Sequence, residues 1–206
     1  DNRFTNIWIA GQLAGNPNVG KSVIFNYLSG LYVDVSNYPG TTVEITESRL
    51  NQDRIVDTPG IYSVASFNDE ERVARAVILD ADVIINVVDA VHLERDLFLT
   101  LQLIDMGIPL IVALNFMDEL AKEGIQIDIA RLENELGVPV IPTSAINKTG
   151  LDELIESIPR ACPGKPDPEL QEHILNRLNE VGSVAEAILL LEGDPETAKE
   201  LSLIHI

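Results

Sequence analysis

The chain has 206 residues, with 33 acidic side chains against 14 basic ones and a formal net charge of −19. That balance argues against a nucleic-acid surface, which needs a basic stripe to displace counterions, and against electrostatic docking on anionic lipid. The length suits one well-cored domain with a small appendage. The lone cysteine, Cys162, leaves no disulfide framework, and no apolar run reaches the ~20 residues of a membrane span. With no signal peptide visible, this segment is expected to be soluble in a reducing compartment.

Apolar runs and helical patterns alternate along the chain as in a βαβ protein. Ile7–Ala14 is predicted as the first strand, although Gly11-Gln12 interrupts it and a mid-sheet glutamine is costly unless hydrogen-bonded. Residues 15–22, Gly-Asn-Pro-Asn-Val-Gly-Lys-Ser, form a full Walker A octet, and Ser22–Leu28 continues it as a helix. Val43–Leu50 and Arg54–Val56 read as a hairpin turned at Asn51-Gln52-Asp53. Asp82–Val88 and Pro109–Leu114 are near-continuous apolar runs, the mark of strands buried on both faces. Between them Leu93, Leu97, Leu101 and Ile104 recur at helical spacing and predict a covering helix. Val138–Ile141 is the last strand and Leu151–Ile158 the last helix of this unit. Cys162–Pro168, with three prolines and a glycine, reads as a linker. Glu169–Val181 and Val184–Leu191 follow as helices. The closing Leu-Ser-Leu-Ile-His-Ile has no cap or stop signal, and the expectation is a chain cut from a longer protein, with a hexapeptide that need not be native.

The octet carries the chemistry. Gly15 and Gly20 let backbone N–H groups face the phosphates, Lys21 reaches the β/γ oxygens, and the Ser22 hydroxyl is placed to ligate Mg²⁺. Asn16, Val19 and the following Val23 complete the candidate phosphate contacts. Asp57-Thr58-Pro59-Gly60 comes 35 residues after Ser22. There an aspartate bonds a water on Mg²⁺, and the glycine N–H serves the γ-phosphate. Asn115-Phe116-Met117-Asp118 ends a buried strand, where open α/β sheets bind ligands. The Asp118 carboxylate can accept the N1–H and 2-amino hydrogens of guanine, which adenine does not offer. Thr143-Ser144-Ala145 ends the next strand, where a backbone N–H can donate to guanine O6.

The order GxxxxGKS, Thr, DxxG, NxxD, SA resembles a GTPase of the translation-factor-related class. Finer detail lies in the octet, in Ser36-Asn37-Tyr38-Pro39-Gly40-Thr41-Thr42-Val43-Glu44, in Asn86-Val87-Val88-Asp89-Ala90 with Leu93-Glu94-Arg95-Asp96-Leu97, and in Leu99–Asp118. These are similar to the FeoB family of ferrous iron transport proteins, in its N-terminal cytosolic G domain, over about residues 13–160. The resemblance implies an α/β fold, a Ras-like P-loop GTPase whose mostly parallel sheet is flanked by helices. It places the G domain at 1–161, the linker at 162–168, and a truncated helical segment that modulates nucleotide release at 169–206.

By the same resemblance, Thr42 in switch I (about 32–42) ligates Mg²⁺, with Thr41 as the alternative. Asn18 helps to hold K⁺ against the phosphates, where the cation does the work of an arginine finger. Switch II spans about 57–71. Ile61 stands where many small GTPases have a water-orienting glutamine, which implies slow hydrolysis with the water held by backbone groups. Phe116 replaces the usual lysine and can lie against the base; modest affinity and fast exchange follow. The implied catalytic set is Asn18, Lys21, Thr42 and Gly60, with GTP or GDP, Mg²⁺ and K⁺ as ligands. Cys162, His92, His173 and His205 have no metal-ligand spacing. The resemblance implies that iron passes through a membrane domain outside this chain, with this segment at the cytoplasmic face of the cell membrane and oligomerisation arising through the full-length protein. Two other readings stay open: an Era- or TrmE-like GTPase bound to ribosome or tRNA, and a nucleotide-gated interaction module that barely hydrolyses.

Overall fold

The computed structural model describes residues 10–29, 33–50, 53–65, 68–177 and 183–191. Within them lies a seven-stranded sheet flanked by helices on both faces. The strands are β1 (Ala10–Gly15), β2 (Val33–Asn37), β3 (Glu44–Leu50), β4 (Asp53–Asp57), β5 (Val83–Asp89), β6 (Leu110–Asn115) and β7 (Val140–Pro142), in spatial order β2-β3-β4-β1-β5-β6-β7. β1 pairs parallel with β4 and β5, β5 with β6, and β6 with β7; β2, β3 and β4 pair antiparallel. β1 thus sits where the strand order reverses, so its C-terminal end opens on the crevice in which open α/β sheets take ligands.

The apolar runs are continuous because each face of the sheet meets its own helices. In β5, Ile84 and Val88 enter one cluster and Ile85 and Val87 the other; in β6, Leu110, Val112 and Leu114 oppose Ile111 and Ala113. α1 (Lys21–Leu28) and α6 (Leu151–Ser157) cover the second face through Ile24, Phe25, Leu151 and Leu154. The first face is covered by α2 (Asp69–Leu79), α3 (Leu93–Asp105), α4 (Met117–Lys122) and α5 (Ile129–Leu136). α7 (Pro168–Arg177) and α8 (Val184–Leu191) add Ile174, Ala187, Ile188 and Leu189 to that same cluster.

The described part of the first strand runs Ala10–Gly15; residues 7–9 of the predicted strand lie outside the described residues, as do Asn51 and Gln52 of the predicted hairpin turn. Gln12 is buried and its Oε1 has no partner, so the cost expected of a mid-sheet glutamine stands at that atom. Sequence patterning missed β2, α2, α4 and α5. All five β2 residues are exposed, so the strand carries no burial signal. α2 starts at a cap, Asn68 Oδ1 accepting from Glu71 N at 2.8 Å, and α5 at another, Asp128 Oδ1 accepting from Arg131 N at 3.0 Å.

α3 is present as expected, with Ile104 buried and Leu93 and Leu97 packed against the core, while Leu101 is 47% exposed. Asp96, Leu99, Thr100 and Leu103 are buried as well. The inward side thus includes polar groups, and they find partners on the sheet side: Thr100 Oγ1 donates to Asn86 Oδ1 at 2.6 Å, and Asn86 Nδ2 to the Ala14 carbonyl at 3.4 Å. The predicted linker is fastened to the body. Leu110 N donates to the Cys162 carbonyl at 3.0 Å, Lys165 N to that of Leu136 at 2.9 Å, and Asp167 N to Asp105 Oδ1 at 2.9 Å.

Candidate nucleotide site

The loop after β1 turns through backbone conformations that few residues adopt. Gly20 has φ 91°, and a Cβ there would lie 2.5 Å from Asn115 Nδ2. Asn18 is also left-handed, at φ 66°, a conformation asparagine tolerates, and its side chain is exposed. Lys21 opens α1 with its side chain folded back over the loop, 8% exposed, Nζ donating to the Asn16 carbonyl at 3.3 Å. Burial lowers the Lys21 pKa, and the nearby Asp57 only partly opposes this.

β4 ends beside that lysine. Ser22 Oγ donates to Asp57 Oδ2 at 2.7 Å, while Asp57 Oδ1 is buried without a partner. Burial pushes the Asp57 carboxyl up, with the Ser22 hydrogen bond and the Lys21 charge pulling the other way. A hydroxyl and a carboxylate side by side, one carboxylate oxygen unspent, are hard oxygen donors of the kind Mg²⁺ takes together with phosphate. Gly60 presses on the phosphate loop so closely that a Cβ would lie 2.8 Å from Pro17 Cα. Ile61 donates its N–H to the Gly15 carbonyl at 3.1 Å and buries its side chain at 1% exposure, so that side chain orients no water. Of the two switch threonines, Thr41 accepts from Val43 N and donates to the Tyr38 carbonyl, whereas Thr42 is exposed.

At the other end of the crevice Asn115, fully buried, joins three loops. Its Nδ2 donates to the Val19 carbonyl at 2.9 Å, and its Oδ1 accepts from Ala145 N at 2.9 Å and from Thr143 Oγ1 at 3.4 Å. Phe116 is held at φ 65°, an uncommon conformation for a bulky residue and the kind of local strain that collects at binding sites. It turns the chain so that Asp118 follows in the first turn of α4. Asp118 Oδ1 is buried without a partner. The Ser144 hydroxyl, helped less by Lys122 and Asn147 and opposed by burial, holds the Asp118 carboxyl below the usual carboxylate range. The N–H groups of Thr143, Ser144 and Ala145 are spent on Leu114 O, Thr149 O and Asn115 Oδ1. A donor to an exocyclic base oxygen must therefore come from elsewhere or follow a shift of this loop. Val23 lies on the outer face of α1, lining a cleft with Tyr27, Ala145 and Lys148.

Sequence reasoning passed over the polar side of α3. Besides Asp96 and Thr100, Gln102 is buried and grips the segment after Gly60: its Oε1 accepts from Val64 N and its Nε2 donates to Ser63 Oγ, each at 3.0 Å. The available signal was the set of polar residues at 96, 100 and 102 on a helix bound to cover an apolar sheet. Among the candidate metal residues, His92 Nδ1 meets Asp89 Oδ2 at 2.8 Å, Cys162 Sγ donates to the Gly137 carbonyl at 3.2 Å, and His205 lies outside the described residues. Among the described residues no three His, Cys, Asp or Glu side chains converge as metal ligands, and no helix is long and apolar enough to cross a membrane.

Comparison with known proteins matches residues 9–158 to the family model described as ferrous iron transport protein B. The chain is 42% identical over 186 residues to the Fe(2+) transporter FeoB of Shigella flexneri, covering 85% of this chain and 24% of that protein. It is 38% identical over 211 residues to a Fe(2+) transport protein A/Fe(2+) transporter FeoB fusion protein of Porphyromonas gingivalis, covering 89% and 25%. The chain thus spans about a quarter of the length of these relatives. Its fold is similar to that of an S. thermophilus NFeoB point mutant bound to GDP, with TM-score 0.84 and 38% identity over 93% of this chain and 82% of that one. It is also similar to S. thermophilus NFeoB bound to GDP·AlF4⁻ and K⁺, with TM-score 0.79 and 39% identity over 94% and 83%.

Proposed function

The chain belongs to the family of ferrous iron transport protein B, and from that premise we propose that it binds and hydrolyses GTP as the regulatory G domain of a ferrous iron membrane transporter. The observation that carries this reading is the pair of orphaned carboxylate oxygens, Asp57 Oδ1 at the phosphate end and Asp118 Oδ1 at the base end. Buried acceptors without partners are costly in a finished structure. Here one suits a metal-bound water and the other the N1–H of guanine.

In this reading Lys21 neutralises the β/γ oxygens, and the backbone from Gly15 to Val23 cradles the phosphates. Gly60 N–H marks the γ-phosphate, and Asn115 fixes the spacing between phosphate loop and base loop. Mg²⁺, when bound, neutralises charge between the β- and γ-phosphates. Ser22 and Thr42 would hold it directly and Asp57 through water; the Thr41 hydroxyl already serves its own turn. Asn18 would hold K⁺ on the outer side of the loop. With Ile61 in the core, the attacking water relies on backbone groups, and turnover is slow. The G domain occupies residues 1–161, followed by the 162–168 linker and the helical 169–206 segment, at the cytoplasmic face of a membrane whose iron path belongs to the rest of the protein. The nucleotide is the partner of this segment and nucleic acid is not; oligomerisation would come through the full-length protein.

Phosphate release from GTP is expected to run about tenfold or more faster in K⁺ than in Na⁺, and Asn18→Ala should erase the difference. Equal rates in the two salts would remove the role given to Asn18. No turnover in either would favour a nucleotide-gated module. Gly60→Ala, which drives a Cβ into Pro17, should weaken a non-hydrolysable GTP analogue about tenfold and leave GDP unchanged. Equal losses for both nucleotides would show that Gly60 shapes the loop and does not read the third phosphate.

A further inference from the structure

Asp96 is a carboxylate in the first turn of α3, 2% exposed, on the side of the helix that faces the sheet. Its Oδ1 accepts from Asn16 Nδ2 at 2.6 Å and from Arg95 Nε at 2.7 Å, and its Oδ2 from the Asp89 N–H at 3.1 Å. A buried charge survives only when it is paired and hydrogen-bonded, and this one spends its bonds on the phosphate loop and on the end of β5. Asn16, 1% exposed, has no other side-chain anchor: its Oδ1 is orphaned, and its Nδ2 goes to Asp96. The Asn16 main-chain carbonyl is the acceptor that receives Lys21 Nζ.

We propose that Asp96 is the positioning residue of the phosphate loop: it fixes Asn16, and through the Asn16 carbonyl it sets where the Lys21 ammonium stands. A carboxylate suits this task better than an amide. It can only accept, so the Asn16 amide has one orientation, with Nδ2 toward α3; an amide at 96 would let both groups flip. The position in the first turns of α3 also suits a negative charge, because the helix N-terminus presents positive partial charge. Gln102 holds the segment after Gly60 from the same helix, so the loop that carries the lysine and the loop that carries Gly60 share one rigid support.

The inference rests on the nucleotide reading above and is tested on the same chain by titrating GDP and a non-hydrolysable GTP analogue. Asp96→Leu is expected to weaken both nucleotides alike by about tenfold, the weight of one charge-assisted hydrogen bond. Asp96→Asn, which keeps an Oδ1 acceptor for Asn16 but turns its amide NH₂ toward the Asp89 N–H, should fall between Asp96→Leu and the unaltered protein. Asn16→Ala should match Asp96→Leu, and the double variant should be no weaker than the worse single one, since both remove the same contact. A purely structural Asp96 would lower the melting temperature and leave affinity untouched. That result, additive losses in the double variant, or an Asp96→Asn as poor as Asp96→Leu would overturn the proposal. Should Asp96→Leu fail to fold, Asn16→Ala decides alone, and full affinity there overturns it. Absence of binding by the unaltered protein would sink the nucleotide reading itself, a failure distinguishable from all of these.

Discussion

Lys21→Ala is expected to weaken GTP by roughly two to three orders of magnitude while leaving the nucleotide-free protein no less stable. The lysine would make about two charge-assisted hydrogen bonds to the β- and γ-phosphates, each worth ~1.5–3 kcal/mol, and a loss of roughly 3–4 kcal/mol is a factor of several hundred in Kd. The stability half of the expectation comes from its burial. The folded state lowers the Lys21 pKa because desolvation outweighs the attraction of Asp57, so burying the charged amine costs free energy. The sign follows by linkage. Between the depressed folded value and the ordinary unfolded one, the unfolded chain binds the extra proton, so nucleotide-free protein gains stability as pH rises through that window. Removing the amine removes both the cost and this pH dependence. Calorimetric titration and thermal melts across pH check the two halves; retained GTP affinity would count against the phosphate cradle.

Asp118→Asn is expected to weaken GTP at least about a hundredfold and to favour xanthosine triphosphate. The Asp118 carboxylate, with its orphaned Oδ1, would accept from N1–H and the 2-amino group of guanine, and a neutral amide would lose one acceptor and the charge, on the order of 3 kcal/mol. Xanthine carries a 2-oxo group, to which the new Nδ2–H can donate. Since Asp118 titrates below the usual carboxylate range, mainly through the Ser144 hydroxyl, it remains ionised through mildly acid pH, and the discrimination should persist there. Competition binding with the two triphosphates is the measurement. Unchanged preference for GTP would refute the assignment of the base end.

The motifs that hold Lys21 and Asp118 could be read directly from the sequence, because spacing dictates them: a phosphate loop tolerates few orders of Gly, Lys and Ser, and each other motif falls at a strand end. Asn115 was visible only as the first letter of its tetrad. Its bonds to Val19, Thr143 and Ala145 join three loops far apart in sequence, and no local pattern encodes that. The buried strands β5 and β6 were legible as unbroken apolar runs. The polar part of the inward side of α3 was not: Asp96 and Thr100 are buried through hydrogen bonds to Asn16 and Asn86, partners fixed only once the sheet has formed. α2 and α5 were missed although their caps, Asn68 and Asp128, stand in the sequence and α5 carries Ile129, Leu132 and Leu136 at helical spacing.

β2 pairs with β3 alone and places none of its five side chains in the core. Its release would cost hydrogen bonds that water can replace and little apolar burial, since Val33 and Val35 are already about half exposed. The opening free energy of this border strand therefore belongs at the low end of the range within one fold, far below that of β5 or β6. A ligand contact at Thr42, a few residues beyond its end, needs only a modest free energy to set whether the strand is docked or open. The sheet thus has a stiff middle that holds the lysine and a loosely stitched hem that can report on what the lysine holds.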